Sequence, residues 1–333
     1  MEDEAKLSLL EKIQSLILIG AMILGLVFGV LKNNSDSNVD FLVSLAIIVL
    51  IYSMALSVPL GEVGRSYKRV KFFLIAWGLN FAVIPLIAWL LAMVFLYAYP
   101  AIYIGFILYL VTPCTDWFLV FTSMSKGDVP LGLALLPTNL ALQIMLMPIY
   151  VYLFAGHMID FQISAFLETL LIFIAFPFAL AALTRYLIGK SKGKSKEKEI
   201  LGKISSPLQL ASLVVVIFLM FYGQSYVIVE NLDPLLLMFV PLLIFFTLSF
   251  INAQISSKVF HLEYKECALL TCTTAARNSP LSLAIAFGVF PNEPLIYVSI
   301  IIGVLIELPI LVAITKALRF CERRFFNKTA TAG

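Results

Sequence analysis

The chain has 333 residues, of which 61% are hydrophobic and 13% are charged, and its formal net charge is +3. Because about a quarter of the residues in a soluble domain are charged, this composition excludes an ordinary soluble domain and predicts an integral membrane protein. The cysteines have neither the spacing of a secreted disulfide framework nor that of a zinc site; they are Cys114, Cys267, Cys272 and Cys321.

Apolar runs that are long enough to cross a bilayer recur along the chain, and we predict that each forms a transmembrane helix. There are ten, at 14–31, 40–60, 72–97, 101–125, 130–155, 163–188, 207–229, 235–256, 266–290 and 294–318. The acidic start MEDEAKLSLLEK, with no small-residue cleavage site after the first run, indicates a retained helix and not a signal peptide.

The positions of the cationic residues support this helix count, because cytoplasmic loops are enriched in Lys and Arg. Of the 23 Lys and Arg residues, Arg277 lies within a predicted helix and Lys32 lies on the side opposite the amino terminus. All the others lie on the side of the amino terminus. The sequence therefore predicts a multi-pass protein of the plasma membrane with both termini in the cytoplasm.

The predicted fold is all-α, with ten transmembrane helices arranged as two inverted repeats of five. An odd number of helices per repeat makes the second repeat enter the membrane from the opposite side, as in many secondary transporters. Residues 1–188 hold the first repeat, 189–206 form a basic cytoplasmic linker, and 207–333 hold the remaining helices. By symmetry helix 163–188 belongs to the second repeat, which places the repeat boundary near 157–162. The lysines of the linker suit either a solvated connection or an anionic-lipid contact.

Two predicted helices carry a proline among polar residues, an unusual composition at membrane depth. The fourth helix contains VTPCTD, with Pro113 and Asp116, and the ninth contains TTAARNSPLS, with Arg277 and Pro280. Proline removes a backbone donor and clashes with the preceding turn, so both helices are predicted to break. Freed backbone groups are tolerated in a membrane only beside protein or a water-filled cavity.

The polar residues of the two breaks are the predicted substrate site, because ionisable groups inside a membrane mark substrate or ion pathways. The substrate-binding candidates are Thr112, Cys114, Thr115, Asp116, Arg277, Asn278, Ser279 and Ser282. By symmetry, Asp116 and Arg277 are a candidate ion pair across the breaks. The alternative is that these charges only tie helices together.

A second group of polar residues suits ion coupling: Asp116, Glu307, Asn139, Gln143 and Thr273. Asn139 and Gln143 are four residues apart on one helix face, where they either line the site or make interhelical hydrogen bonds. Glu307 is either a proton carrier or a partner of Arg277. The sequence predicts no metal, cofactor or nucleic-acid partner, and it contains neither an HExxH motif nor paired intramembrane aspartates, which argues against a membrane enzyme.

Three segments carry a family resemblance: CTDWFLVFTSMSKGD (114–128), VPLGLALLPTNLALQIMLMPIYVYLF (129–154) and ARNSPLSLAIA (276–286). They are similar to helices four, five and nine of the bile acid:sodium symporter superfamily, and most similar to its arsenical-resistance permeases, which expel arsenite. The resemblance implies that helices four and nine cross at their breaks in a core domain beside a panel domain. It also implies efflux of arsenite or another small oxyacid in exchange for protons, by alternating access.

Within that resemblance, Cys114 matches the permease cysteine, a thiol suited to trivalent arsenic, and deprotonation of the thiol would link transport to pH. Alternatively, Cys114 is a small residue that fits a crowded crossing. Ser282 stands where the permeases carry a glutamate. Thr273 and Arg277 align with the glutamate and glutamine that serve sodium in the bile acid branch.

A fixed guanidinium repels Na⁺, so the resemblance favours H⁺ over Na⁺ as the coupling ion. The alternative substrate is an organic anion, whose carboxylate would bind Arg277 in a bidentate manner. A passive channel is a further alternative, which transport kinetics separate from a coupled carrier.

Overall fold

The computed structural model of the chain describes residues 2–32, 38–57, 69–115, 117–156 and 163–322. Over these residues the regular secondary structure is helical. The α-helices are α1 (Glu2–Lys32), α2 (Asn38–Ser57), α3 (Val70–Gly78), α4 (Ile84–Phe95), α5 (Pro100–Leu110), α6 (Trp117–Met124), α7 (Val129–Ala155), α8 (Ile163–Thr169), α9 (Phe176–Lys192), α10 (Lys194–Gly223), α11 (Ser225–Glu230), α12 (Leu232–Leu237), α13 (Phe239–Val259), α14 (Tyr264–Ala275), α15 (Ser279–Val289) and α16 (Pro294–Cys321). Two π-helical segments, Leu79–Val83 and Leu170–Ala175, join α3 to α4 and α8 to α9.

Seven helical stretches of the described residues are long and apolar enough to cross a membrane. They are Val39–Ser57, Val70–Phe95, Val129–Phe154, Ser164–Ser191, Glu199–Gly223, Leu232–Val259 and Pro294–Cys321. Large apolar side chains such as Leu74, Val94 and Met145 are exposed on them, as expected for a surface that faces lipid. The predictions of an all-helical fold and of a multi-pass membrane protein are confirmed for these residues.

Three helices are buried on all sides and form the centre of the molecule. They are α5 from Ile102 to Leu110, α14 from Glu266 to Ala275, and α15 from Ser279 to Phe287. Helix α16 packs against all three and also against α6. A helix that is buried all round belongs to a protein core, so any polar group on these three helices needs a protein partner.

The basic run that was predicted as a linker, 189–206, is helical on both sides of Gly193. Gly193 has a φ of +82°, a conformation that glycine adopts at little cost. Nearby, Lys203 forms an exposed pair with Glu199 at 2.6 Å, a contact of small energetic weight. The basic connection therefore consists of two helix ends that meet at one glycine.

Helices α1 and α10 pack so closely at Gly25 that a larger side chain there should destabilise the fold. A Cβ atom at Gly25 would lie 2.5 Å from the carbonyl oxygen of Phe218, whereas a Cβ atom at Gly20, in the same helix, would meet nothing within 4 Å. We expect Gly25→Ala to lower the free energy of unfolding by about 1–3 kcal/mol through overpacking. Gly20→Ala should leave it unchanged or raise it, since alanine favours helices. Thermal unfolding of both variants in detergent checks this, and equal melting temperatures would contradict it.

Candidate functional site

Two non-helical segments cross at the centre of the buried helices. Residues 111–115 follow α5, and residues 276–278 separate α14 from α15. Pro113 and Arg277 form an isolated antiparallel β-bridge between them. We call these two segments the crossing. Asp116, which was predicted to belong to the substrate site and to pair with Arg277, lies outside the described residues.

Two backbone hydrogen bonds hold the crossing together. The amide of Cys114 donates to the carbonyl of Ala276 at 3.0 Å, and the amide of Asn278 donates to the carbonyl of Thr112 at 2.8 Å. Backbone groups without a helical partner are costly at membrane depth, where water is absent. Each segment therefore satisfies backbone groups that the other leaves unpaired.

The last carbonyls of α5 accept hydrogen bonds from both segments and from α15. A helix leaves its last four carbonyls without intrahelical partners. Here Ile107 accepts from the amide of Val111 (3.0 Å), Leu108 from the Ser282 hydroxyl (3.1 Å), Tyr109 from the Thr112 hydroxyl (2.9 Å) and Leu110 from the Arg277 guanidinium (2.8 Å). The hydroxyls of Thr112 and Ser282 also lie 2.6 Å apart. Ser282 and Thr112 thus link α15 to the end of α5.

Arg277 is almost fully buried, with 2% of its surface exposed. Its guanidinium donates to three backbone carbonyls: Nη1 to Leu110 at 2.8 Å, Nε to Ala275 at 3.3 Å, and Nη2 to Thr274. The ring of Phe245 lies 5.3 Å from the guanidinium carbon. The side chain therefore bonds the carboxyl ends of α5 and α14 at once.

Glu307 connects α16 to both segments. One carboxylate oxygen accepts from the backbone amide of Arg277 at 2.8 Å, and the other accepts from the hydroxyl of Tyr109 at 2.5 Å. The carboxylate is 4% exposed. Glu307 therefore contacts the residue with which it was predicted to pair, through the backbone amide of that residue.

A cluster of amides lies beside the crossing. The side-chain amides of Asn80 and Asn139 donate to the hydroxyl of Thr273 at 3.3 and 3.4 Å. Their carbonyl oxygens are buried and have no hydrogen-bond partner among the described residues. Sequence reasoning missed Asn80, for which the only signal was an asparagine in an apolar helix. Asn80 is buried within the π-helical segment Leu79–Val83, and π-segments occur frequently at functional sites.

Asn278 joins the crossing to α7 and caps α15. Its side-chain oxygen accepts from the amide of Leu281 at 3.2 Å, and its amide donates to Thr115 at 3.3 Å and to Gln143 at 3.5 Å. An asparagine N-cap satisfies a donor that the helix leaves free. The amide nitrogen of Gln143 is buried without a partner in the described part of the chain.

The structure brings most of the predicted site residues to one place. At the crossing, or on the helices α7, α14, α15 and α16 around it, lie Thr112, Pro113, Cys114, Thr115, Asn139, Gln143, Thr273, Arg277, Asn278, Ser279, Pro280, Ser282 and Glu307. Pro280 lies in the first turn of α15, where proline is tolerated. Among the described residues, no group of three His, Cys, Asp or Glu side chains is placed to hold a metal ion. The side chains present are one thiol with hydroxyls, amides, a carboxylate and a cation.

The chain matches the sequence model of the Sodium Bile acid symporter family over residues 44–231, which is more than half of its length. The chain belongs to this family. It is therefore a membrane transporter and not an enzyme, and the resemblance inferred from helices four, five and nine is confirmed.

Similar proteins include two arsenical-resistance proteins named Acr3. Acr3 of Corynebacterium glutamicum is 24% identical over 98% of this chain and 93% of its own length. Acr3 of Alkaliphilus metalliredigens is 24% identical over 84% of this chain and 82% of its own. An uncharacterized transporter of Synechocystis is 22% identical over 96% and 90%. These three relatives of the symporter-family transporter each match at least 84% of its chain.

Charged groups fix the amino end of α14. Glu263 and Glu266 form a capping box there. Arg69, just before α3, donates to Glu266 at 2.5 Å. This hydrogen bond and the charge of Glu266 raise the pKa of Arg69 above its ordinary value. The end of α14 that is remote from the crossing is thereby tied to α3 in this symporter-family transporter.

The two roles of Asn278 can be separated by substitution. Asn278→Ser keeps an N-cap acceptor but loses the amide that donates to Thr115 and Gln143. Asn278→Ala loses both. We expect Asn278→Ala to lower the free energy of unfolding by about 1 kcal/mol more than Asn278→Ser does. Both should impair transport. Thermal unfolding and vesicle transport of the two variants check this; wild-type transport by Asn278→Ser would show that the amide contacts are dispensable.

Proposed function

We propose that this transporter exports arsenite, or a closely related small oxyacid, in exchange for protons. Two relatives, matched over 98% and 84% of this chain, bear the name arsenical-resistance protein. The observation that carries the proposal is the position of Cys114, a buried thiol at the crossing of the two non-helical segments. Trivalent arsenic binds thiols, and binding sites of secondary transporters form where interrupted helices meet near the membrane centre.

The proposed architecture is ten transmembrane helices in two inverted repeats of five, with the broken fourth and ninth helices crossing in a core domain. The seven spans, the apolar stretch Leu16–Lys32, and the pairs α5–α6 and α14–α15 together make ten, which supports this count. In the proposed arrangement the protein resides in the plasma membrane with both termini in the cytoplasm. The repeat boundary lies near 157–162, ahead of the basic connection 189–206.

In the proposed site, arsenite binds to the thiol of Cys114. A sulfur–arsenic bond forms as one arsenic–oxygen bond breaks, and the released hydroxide leaves as water with the thiol proton. The remaining hydroxyls of the substrate are hydrogen-bonded by Thr112, at the carboxyl end of α5, and by side chains at the amino ends of the second half-helices, where the helix dipoles favour electron-rich groups. The latter side chains are Thr115, Asn278, Ser279 and Ser282, with Asp116 as a further acceptor.

Glu307 is the proposed proton carrier. As a carboxylate it accepts from the amide of Arg277 and from the hydroxyl of Tyr109. A protonated carboxyl group has one acceptor site fewer and becomes a donor, so protonation rearranges contacts with both segments of the crossing. The proposed ion-coupling residues also include Thr273, its hydrogen-bond partner Asn139, and Gln143 one turn further along α7.

The experiment that tests this proposal is arsenite uptake into everted membrane vesicles, with an imposed proton gradient and then with that gradient collapsed. We expect accumulation that depends on the gradient. Flux that only equilibrates arsenite would indicate a passive channel. Three donors of Arg277 are already bonded to backbone carbonyls, which argues against an organic carboxylate bound there. Accumulation of an organic carboxylate in place of arsenite would overturn the substrate assignment.

A further inference from the structure

The carboxyl ends of α5 and α14 converge on one point inside the molecule. The carbonyls of Leu110, Thr274 and Ala275 all point at the guanidinium of Arg277. The carboxyl end of a helix carries a partial negative charge of about half an elementary charge. Two such ends in a site that excludes water strongly stabilise a positive charge placed between them.

The environment of the guanidinium is closed. Three carbonyl oxygens accept from its edge, and the ring of Phe245 lies 5.3 Å away, in the geometry of a cation–π contact. Phe245 is fully buried. Since the guanidinium keeps its proton at all physiological pH values, this positive charge is permanent. We call the three carbonyls and the ring the carbonyl cage.

The geometry points to Arg277 as a tethered cation. In secondary transporters, unwound carbonyls and half-helix carboxyl ends hold mobile cations. In this chain the carbonyl cage is filled by a side chain of the protein itself. Arg277 is therefore a positioning residue that holds the two half-helix ends together, and it removes the need for an alkali cation at this place. Its part in coupling rests on the proposed transport function, whereas its part in holding the crossing does not.

Removing the side chain of Arg277 empties the carbonyl cage. A small cation that enters the cage should therefore restore the positive charge and the stability that the variant has lost. Thermal unfolding of the purified full chain is measured in choline chloride, sodium chloride and guanidinium chloride at equal millimolar concentration. We expect Arg277→Ala to melt below wild type, guanidinium to recover most of the loss, sodium part of it, and choline none. Wild type should respond to none of the three. A folded Arg277→Ala that melts identically in all three salts would overturn the inference.

Arg185 offers the matched control. Its guanidinium also donates to a helix-end carbonyl, that of Leu56 at 2.5 Å, but the side chain is only partly buried. Guanidinium should therefore not stabilise Arg185→Ala. Recovery of both variants would indicate a general salt effect and would also overturn the inference.

Two further variants keep the test decisive if Arg277→Ala does not fold. Arg277→Lys retains a positive charge near the cage, and Arg277→Met has similar length without the charge. We expect Arg277→Lys to be the more stable; equal stability would refute a role for the charge.

In everted vesicles, sodium or guanidinium should stimulate arsenite accumulation by Arg277→Ala but not by wild type, and sodium-dependent wild-type accumulation would refute the coupling role. If wild type accumulates no arsenite, the proposed function fails while the melting experiment still decides the cage.

Discussion

Replacing Cys114 with serine is expected to lower arsenite accumulation by about a hundredfold or more, equivalent to ~2.7 kcal/mol of lost binding free energy. Serine has nearly the volume of cysteine but forms no sulfur–arsenic bond. The backbone amide of residue 114 still donates to Ala276, so the crossing should remain intact. Accumulation in everted vesicles measures the loss, and thermal unfolding verifies that the variant is folded.

Two comparisons decide between a ligand and a packing role for this thiol. Cys321→Ser changes a partly exposed thiol at the end of α16, remote from the crossing, and should accumulate arsenite like wild type. Cys114→Ala leaves a residue that fits the crowded site without a donor atom and should be as inactive as Cys114→Ser. Wild-type accumulation by either Cys114 variant would mean that the residue only fills space.

Glu307→Gln is expected to abolish the response of transport to the proton gradient. The glutamine oxygen can still accept from the amide of Arg277 or the hydroxyl of Tyr109, but the side chain cannot take up or release a proton. Arsenite should therefore still exchange across the membrane and equilibrate, without being concentrated. Labelled arsenite in everted vesicles measures both the driven accumulation and the exchange.

Glu293→Gln is the control for that change. Glu293 is exposed and stands at the start of the same helix, α16, away from the crossing. Its substitution removes one acidic group from the helix without touching the proposed proton path, and gradient-driven accumulation should remain. Gradient-driven accumulation by Glu307→Gln would show that a residue other than Glu307 carries the proton. Asp116 is then the next candidate, and Asp116→Asn the next variant to measure.

The positions of the two non-helical segments were predictable because their signals are local, whereas their crossing was implied by the family resemblance. Pro113 and Pro280 each lie among polar residues within a long apolar run, and such a composition at membrane depth needs a use. The membrane class, the helical fold and the family followed from composition and from the quoted segments. All of these depend on residues that are near one another in the chain.

The partners of Arg277 were not predictable, because they depend on which helix ends converge in space. A lone arginine in an apolar helix suggested an anion-binding group, but its acceptors in the structure are the carbonyls of Leu110, Thr274 and Ala275. Backbone carbonyls carry no sequence signature. Asn80 was missed for a related reason, since its contact with Thr273 depends on how two helices far apart in the chain pack together.

X-ray absorption at the arsenic edge shows whether arsenic binds to sulfur at the crossing. The sample is purified protein with arsenite, in which Cys267, Cys272 and Cys321 are replaced by alanine so that Cys114 is the one remaining thiol. We expect a sulfur atom among the arsenic ligands, and its loss when Cys114 is also replaced. Arsenic bound by oxygen alone in both samples would contradict it.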